Sequence, residues 1–306
     1  MRQPHKEAGQ VGTKVRHVSY LSRLIEGSLA VIMRLTGALV RAGLVGIVIA
    51  TPSLLLGQSG SSDVAALLAL FAALLTFVEY AVVSPSLIEF RDAPPFNRIR
   101  ILSLFVTVFF LTMIVRGASD PTPMSQLITA IGALIGTAMD FPFSPVRLVT
   151  NAAPPNTTVD TIMLLQVTAG MAYLISLVTL AVFLIILRLW NWPSQNSQFN
   201  VWINLPTFDP TVGGDVVKRL LRDAHVNIAL GFSLPFLSPI GVYYAADLFE
   251  PLTLGSSQTL IWVVALWAFL PASLFMRGIA MARVAHMIEA KRSALSRAAS
   301  RALQPA

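Results

Sequence analysis

Six long stretches without a charged side chain constrain this 306-residue chain more than any other feature. They cover residues 42–62, 64–78, 101–115, 161–187, 226–246 and 251–276. Four of them exceed the roughly 18 residues that a helix needs to cross the hydrocarbon core of a bilayer. The two shorter runs reach that length if the second includes Glu79 and if Arg98 and Arg100 extend to the interface at the start of the third. Because backbone groups in lipid must satisfy their own hydrogen bonds, all six are predicted to be helices.

The predicted fold class is therefore an all-α, polytopic membrane protein with a bundle of six transmembrane helices. A cytoplasmic segment, residues 1–34, precedes the transmembrane domain, residues 35–276, and a basic cytoplasmic helix, residues 277–306, follows it. We place the spans at about 37–58, 64–84, 99–116, 161–187, 226–246 and 256–276, with a cytoplasmic loop over 188–225. The first segment carries an amphipathic pattern from Val15, which fits either a helix on the membrane surface or an extension of the first span.

The charge distribution predicts the orientation. With the N-terminus in the cytoplasm, all but two of the 22 Lys and Arg residues lie on the cytoplasmic side, the exceptions being Arg116 and Arg147. Loops rich in Lys and Arg stay cytoplasmic during insertion, so we predict cytoplasmic termini and a bacterial inner membrane. The net charge of +7 then serves insertion and attraction to anionic lipid at the cytoplasmic face, and nucleic acid is not expected as a partner.

The uncharged segment 121–139 is the main topological alternative. It is long enough to cross the membrane, and it contains Gly132 and Gly136 at the spacing that lets helices approach closely. A seventh span would place the two basic termini on opposite sides, against the charge rule. We therefore predict a half-inserted outer helix at about 124–139.

Glu79 is the single acid within a predicted span. An ionisable side chain inside a membrane is costly, which makes a proton or cation relay the functional hypothesis. The structural alternative is that Glu79 lies near the inner interface, where it reaches water or pairs with Arg41. The remaining intramembrane polar candidates, listed in chain order, are Gln166, Tyr173, Asn227, Pro235 and Pro239.

Pro235 and Pro239 should kink or break the fifth span, because each removes a backbone hydrogen bond. A broken helix can line a transporter binding site, and a kink can equally serve packing alone. Gln166 and Tyr173 belong to a polar stripe along the fourth span that favours interhelical packing. Asn227 lies near the predicted interface at the start of the fifth span.

Signatures of catalysis are missing from the sequence. It has no cysteine, its four histidines are far apart, and it lacks the common hydrolase, metalloprotease and nucleotide-binding motifs. We therefore predict no catalytic residue, no metal site, no cofactor and no enzymatic activity.

The leading functional hypothesis is binding of other membrane components, as an assembly, scaffold or regulatory factor. Segments 84–100 and 190–225 mix aromatic, proline and charged residues on the cytoplasmic side, as surfaces for a membrane-protein partner do. The alternative is a small proton- or ion-coupled transporter or channel that uses Glu79 and the broken fifth helix.

Overall fold

The computed structural model describes residues 7–57, 62–83, 86–91, 94–154, 157–193, 204–208, 213–245 and 256–302. Within those ranges the chain forms eight α-helices and no β-strand. In chain order they are α1 (Glu7–Leu56), α2 (Ser62–Ala81), α3 (Phe96–Gly117), α4 (Pro123–Ala138), α5 (Pro145–Asn151), α6 (Val159–Leu189), α7 (Val216–Ala245) and α8 (Ser257–Ala302). Six of them, α1, α2, α3, α6, α7 and α8, are long and apolar enough to cross a membrane, which confirms the predicted class.

Three of the spanning helices extend beyond the predicted spans by ten residues or more. Helix α1 is continuous over 50 residues, so the amphipathic segment before the first span belongs to the same helix. Helix α7 begins ten residues before the predicted fifth span, and the Asp215 carboxylate accepts a hydrogen bond from the Val217 backbone N–H at 3.1 Å at its start. Helix α8 joins the sixth span and the predicted basic helix into one element of 46 residues.

Helix α4 has 16 residues, or about 24 Å at 1.5 Å per residue, which is shorter than the roughly 30 Å hydrocarbon core. Thr122 and Ser125 form a capping box that fixes where it begins. Its two glycines pack against α6: a Cβ added at Gly170 would lie 2.5 Å from the Gly136 backbone nitrogen. The Gln166 amide donates to the Gly136 carbonyl at 3.3 Å across the same contact.

One hydrophobic core lies at the end of the bundle where α2 ends and α3 begins, which we call the basic end. Phe90 contacts Phe96 at a centroid distance of 4.7 Å and Trp192 at 5.9 Å, and all three are buried. The Phe90 backbone N–H donates to the Asn204 carbonyl at 2.6 Å, which ties residues 86–91 to residues 204–208. The two segments predicted as a partner surface therefore pack on each other. In the sequence, residues 199–205 show a strand-like alternation of apolar and polar side chains that Trp202 breaks, and this segment lies largely outside the described residues.

Helices α7 and α8 pack closely through small residues. A Cβ at Gly231 would lie 2.7 Å from the Pro271 carbonyl oxygen, and one at Gly278 would lie 2.6 Å from the Ala224 carbonyl oxygen. The predicted break at Pro235 and Pro239 does not occur, since α7 runs through both prolines.

The neighbouring helix compensates for one of these prolines. Because Pro239 has no N–H, it cannot donate to the Pro235 carbonyl one turn earlier. The Trp267 indole N–H of α8 donates to that carbonyl at 3.2 Å. The carbonyl that Pro239 leaves without a donor thus receives its hydrogen bond from the neighbouring helix.

We predict that Gly170→Ala destabilises the protein by about 1–3 kcal/mol, because the added methyl group overpacks the α4–α6 contact. Gly43→Ala is the matched control, since a Cβ there meets nothing within 4 Å and alanine favours a helix. Thermal unfolding of both variants in mild detergent measures the difference. Equal melting temperatures for the two variants would contradict the close approach of α4 and α6.

Candidate functional site

A cavity of about 1270 Å³ lies at the basic end between α1, the end of α2, residues 87–89, the start of α3, and α8. Helices α1 and α8 touch at the opposite end, where Gln258 donates to the Ser53 hydroxyl at 3.1 Å. At the basic end the cavity separates them. Its apolar lining side chains are Ile32, Met33, Val40, Leu44, Val45, Leu87, Ile88, Ile101, Leu234, Phe269, Leu270 and Leu274.

The charged lining consists of four arginines and one glutamate among the described residues: Arg41, Arg98, Arg100, Arg277 and Glu89. Glu89 is already engaged, because both its oxygens bind the Arg277 guanidinium, at 2.5 and 2.7 Å. It also accepts a hydrogen bond from the Thr207 hydroxyl at 2.6 Å. Its backbone carbonyl accepts a bond from the Asn97 amide at 2.6 Å. Glu89 thus joins α3, α8 and residues 204–208.

The pKa of Glu89 lies below its ordinary value. Burial by itself raises the pKa of this carboxyl, but the hydrogen bonds from Arg277 and Thr207 and the nearby positive charges of Arg277 and Arg100 outweigh burial. The carboxylate is therefore ionised at neutral pH and balances the charge of Arg277.

The other three arginines have no acidic partner among the described residues. The Arg41 guanidinium lies 4.7 Å from the centre of the Tyr80 ring. Arg100 lies 5.1 Å from the Phe96 ring and 6.0 Å from the Phe269 ring, and its buried Nε atom has no hydrogen-bond partner. Arg98 is exposed. The cavity therefore carries an excess of positive charge.

Glu79 lies at the end of α2, with 4% of its surface exposed, and binds the backbone that follows. Its carboxylate accepts hydrogen bonds from the N–H groups of Ser86, Leu87 and Ile88 at 3.0 to 3.2 Å. The Ser86 hydroxyl donates to it at 2.5 Å. Leu87 and Ile88 then line the cavity, so Glu79 holds one wall in place. Arg41, considered above as its partner, instead contacts Tyr80.

The same turn is closed by Arg91. Its guanidinium donates to the carbonyl oxygens of Glu79, Val82 and Val83 at 2.8 to 3.0 Å. These are acceptors that the end of a helix leaves without an intrahelical donor. In this one turn, the Glu79 carboxylate therefore accepts from backbone N–H groups, and the Arg91 guanidinium donates to backbone carbonyl groups.

The other predicted polar residues are engaged elsewhere, and none belongs to the described lining of the cavity. Gln166 bonds to α4, and the Tyr173 ring stacks on Trp267 at 6.1 Å. The Asn227 amide donates to the Asp223 carbonyl at 2.7 Å, one turn earlier in its own helix. The Pro235 carbonyl accepts a hydrogen bond from the Trp267 indole N–H, because Pro239 has no N–H to donate to that carbonyl.

None of the five charged residues of the described cavity lining was singled out as a site candidate from the sequence: Arg41, Glu89, Arg98, Arg100 and Arg277. A usable signal was present, because Arg41, Arg100 and Arg277 all lie within four residues of a predicted span boundary. Basic residues at such boundaries are common as interface anchors, however, so their position alone does not distinguish a site from a membrane anchor.

No family model, curated protein or solved structure matches the chain. Within the described ranges no group of three or more His, Cys, Asp or Glu side chains could hold a metal ion. Conclusions about function therefore rest on the geometry of the cavity and its arginines.

We predict that Glu89→Gln lowers the free energy of unfolding by about 2 kcal/mol at pH 7, because it removes a charge-assisted pair with Arg277. The folded-state pKa of Glu89 is depressed, so its contribution is complete above its ordinary value near 4.5 and is lost as pH falls through the folded-state value. The difference in free energy of unfolding between the wild type and the variant should therefore disappear below about pH 4.5. Denaturation in mild detergent across a pH series measures this difference.

Glu289→Gln is the control for that series, since the Glu289 side chain is 63% exposed and its carboxylate lies 3.8 Å from the His286 ring nitrogen. We expect this substitution to change stability by less than about 0.5 kcal/mol at any pH. A gap for Glu89→Gln that stays constant from pH 7 to pH 3 would contradict the assigned ion pair.

Proposed function

We propose that this is a non-catalytic integral membrane protein that acts by binding another membrane component, in an assembly, scaffold or regulatory role. The observation that carries the proposal is the cavity at the basic end. At about 1270 Å³ it exceeds the roughly 300–1,000 Å³ of small-molecule sites. Its wall is largely apolar, yet it includes three guanidinium groups without an acidic partner in the described chain.

The state of the titratable groups supports the absence of catalysis. A general acid or base must be able to exchange its proton with a substrate. Glu89, the one carboxylate in the described lining, has both oxygens bonded to Arg277. Arginines remain protonated and suit anion binding better than proton transfer.

The transporter alternative loses its two supporting features. Glu79 accepts four hydrogen bonds from one turn, which gives it a structural role. Helix α7 is continuous through Pro235 and Pro239, so it offers no unwound backbone for an ion or substrate.

A membrane-protein partner remains part of the proposal, at the basic end. Within the segments favoured by the sequence, Leu87 and Trp190 are large apolar side chains that could meet such a partner, being 61% and 59% exposed. Phe90, Phe96 and Trp192 are buried and serve the protein's own core.

We also propose that the basic end faces the cytoplasm of a bacterial cell, because Lys and Arg concentrate there. A reporter enzyme that is active only in the cytoplasm, fused after Ala306, should then be active. The same reporter inserted after Gly117, between α3 and α4, should be inactive. The reverse pattern would overturn the orientation without affecting the fold.

Flux measurements separate binding from transport. Vesicles reconstituted with the wild-type protein should show no proton or ion flux above empty vesicles, and Glu79→Gln should leave this unchanged while lowering thermal stability. Purification in mild detergent should retain a stoichiometric membrane component that harsh detergent removes. Flux that is present in the wild type and lost in Glu79→Gln would overturn the proposal in favour of transport.

A further inference from the structure

The cavity at the basic end brings charged and apolar side chains together. Arg277 and Leu270 lie on the same face of α8, seven residues apart, which separates them by about 10 Å along the helix axis. Glu89 and Asn97 lie at the Arg277 level, where residues 86–91 and the start of α3 meet α8. The Arg100 guanidinium lies 6.0 Å from the Phe269 ring, so a positive charge and apolar side chains face the cavity at the same depth. An amphipathic molecule with an anionic group therefore fits this lining.

The cavity is also accessible from the side of the bundle. Ile32, Met33 and Val40 line it from α1 and are 58–73% exposed, and Leu270 lines it from α8 and is 50% exposed. Side chains that both line a cavity and remain exposed mark its opening. In a membrane this opening between α1 and α8 faces lipid.

Arg100 has a buried hydrogen-bond donor that no described residue accepts. Its Nε–H is buried and has no acceptor, and its Nη1 atom lies 3.5 Å from the Asn97 side-chain oxygen, at the limit of a hydrogen bond. A buried donor without an acceptor is costly. A guanidinium presents paired donors that match two oxygens of a phosphate group. The nearby carboxylate of Glu89 is held by Arg277, and no described residue accepts a hydrogen bond from this Nε–H.

From these observations we propose that the cavity holds one anionic phospholipid, with its phosphate at Arg100 and Arg41 and its acyl chains against the α1 and α8 walls. This rests on the proposed function and names the membrane component that is bound. Three guanidinium groups without acidic partners among the described residues favour a headgroup with net negative charge over a zwitterionic one. An apolar wall opening sideways favours a lipid over free phosphate, which would leave that wall in contact with water.

The test uses the full chain in a neutral detergent after lipid has been washed away. Melting temperatures are measured against increasing phosphatidylglycerol, phosphatidylcholine or inorganic phosphate, and native mass spectrometry counts the lipids retained. We expect phosphatidylglycerol to raise the melting temperature at lower concentrations than phosphatidylcholine, with one molecule retained per chain. Inorganic phosphate at the same concentrations should have no effect.

Two variants and one control locate the effect. Arg100→Gln should weaken the phosphatidylglycerol response by about tenfold or more, because it removes a charge-assisted contact. Thr36→Trp, at an exposed position of the cavity wall, should weaken it similarly by filling space while every arginine remains. Arg297→Gln removes one positive charge from an exposed position on α8 and should leave the response unchanged. The response of each variant is measured relative to its own melting temperature without added lipid.

Equal responses in Arg100→Gln and Arg297→Gln would overturn the site and indicate attraction to the basic surface alone. Inorganic phosphate that matches phosphatidylglycerol would overturn the lipid in favour of a free anion. In either case the proposed function survives if mild-detergent purification still yields a stoichiometric protein partner. It fails separately if that purification yields no bound component and the vesicles show Glu79-dependent flux.

Discussion

The ion pair between Glu89 and Arg277 is the interaction on which the basic end depends. It joins α8 to the turn that follows α2, while Thr207 and Asn97 bind the same glutamate from two further elements. Without it, residues 86–91 would lose their attachment to α8, and the aromatic core around Phe90 would lose one side of its support. The position of the pair at the cavity wall makes the shape of the cavity part of the same network.

Hydrogen bonding inside lipid imposes a second condition that the bundle meets by pairing helices. The Trp267 indole occupies the Pro235 carbonyl that Pro239 leaves free, and the Gln166 amide binds the Gly136 carbonyl across the α4–α6 contact. Both bonds require helix axes close enough for a single side chain to bridge them. Gly231 and Gly170 provide that proximity, because a Cβ at either position would collide with the neighbouring backbone. The glycines therefore bring the helices close, and the polar side chains form the hydrogen bonds between them.

The sequence was sufficient for the number and type of spanning helices, because a bilayer demands long apolar runs. Helices α1, α7 and α8 extend beyond the apolar runs, since hydrophobicity ends at the interface whereas a helix can continue in water. The sequence did not predict the role of Glu79. Its hydrogen-bond donors come from residues 86–88, and a turn leaves no periodic pattern in the sequence. The cavity was equally hidden, because it depends on the spacing of α1 and α8, which are distant in the chain.

Helix α8 connects two environments in a single element. One turn of it, near Phe269 and Leu270, forms the deep wall of the cavity, and the part beyond Arg277 continues for 25 residues, about 37 Å, to Ala302. No proline interrupts the helix after Pro271. The Arg292–Asp215 contact at 2.7 Å braces this distal part against the start of α7. Because this helix is uninterrupted and its distal part is held against α7, a displacement of α8 at the cavity would also displace the start of α7.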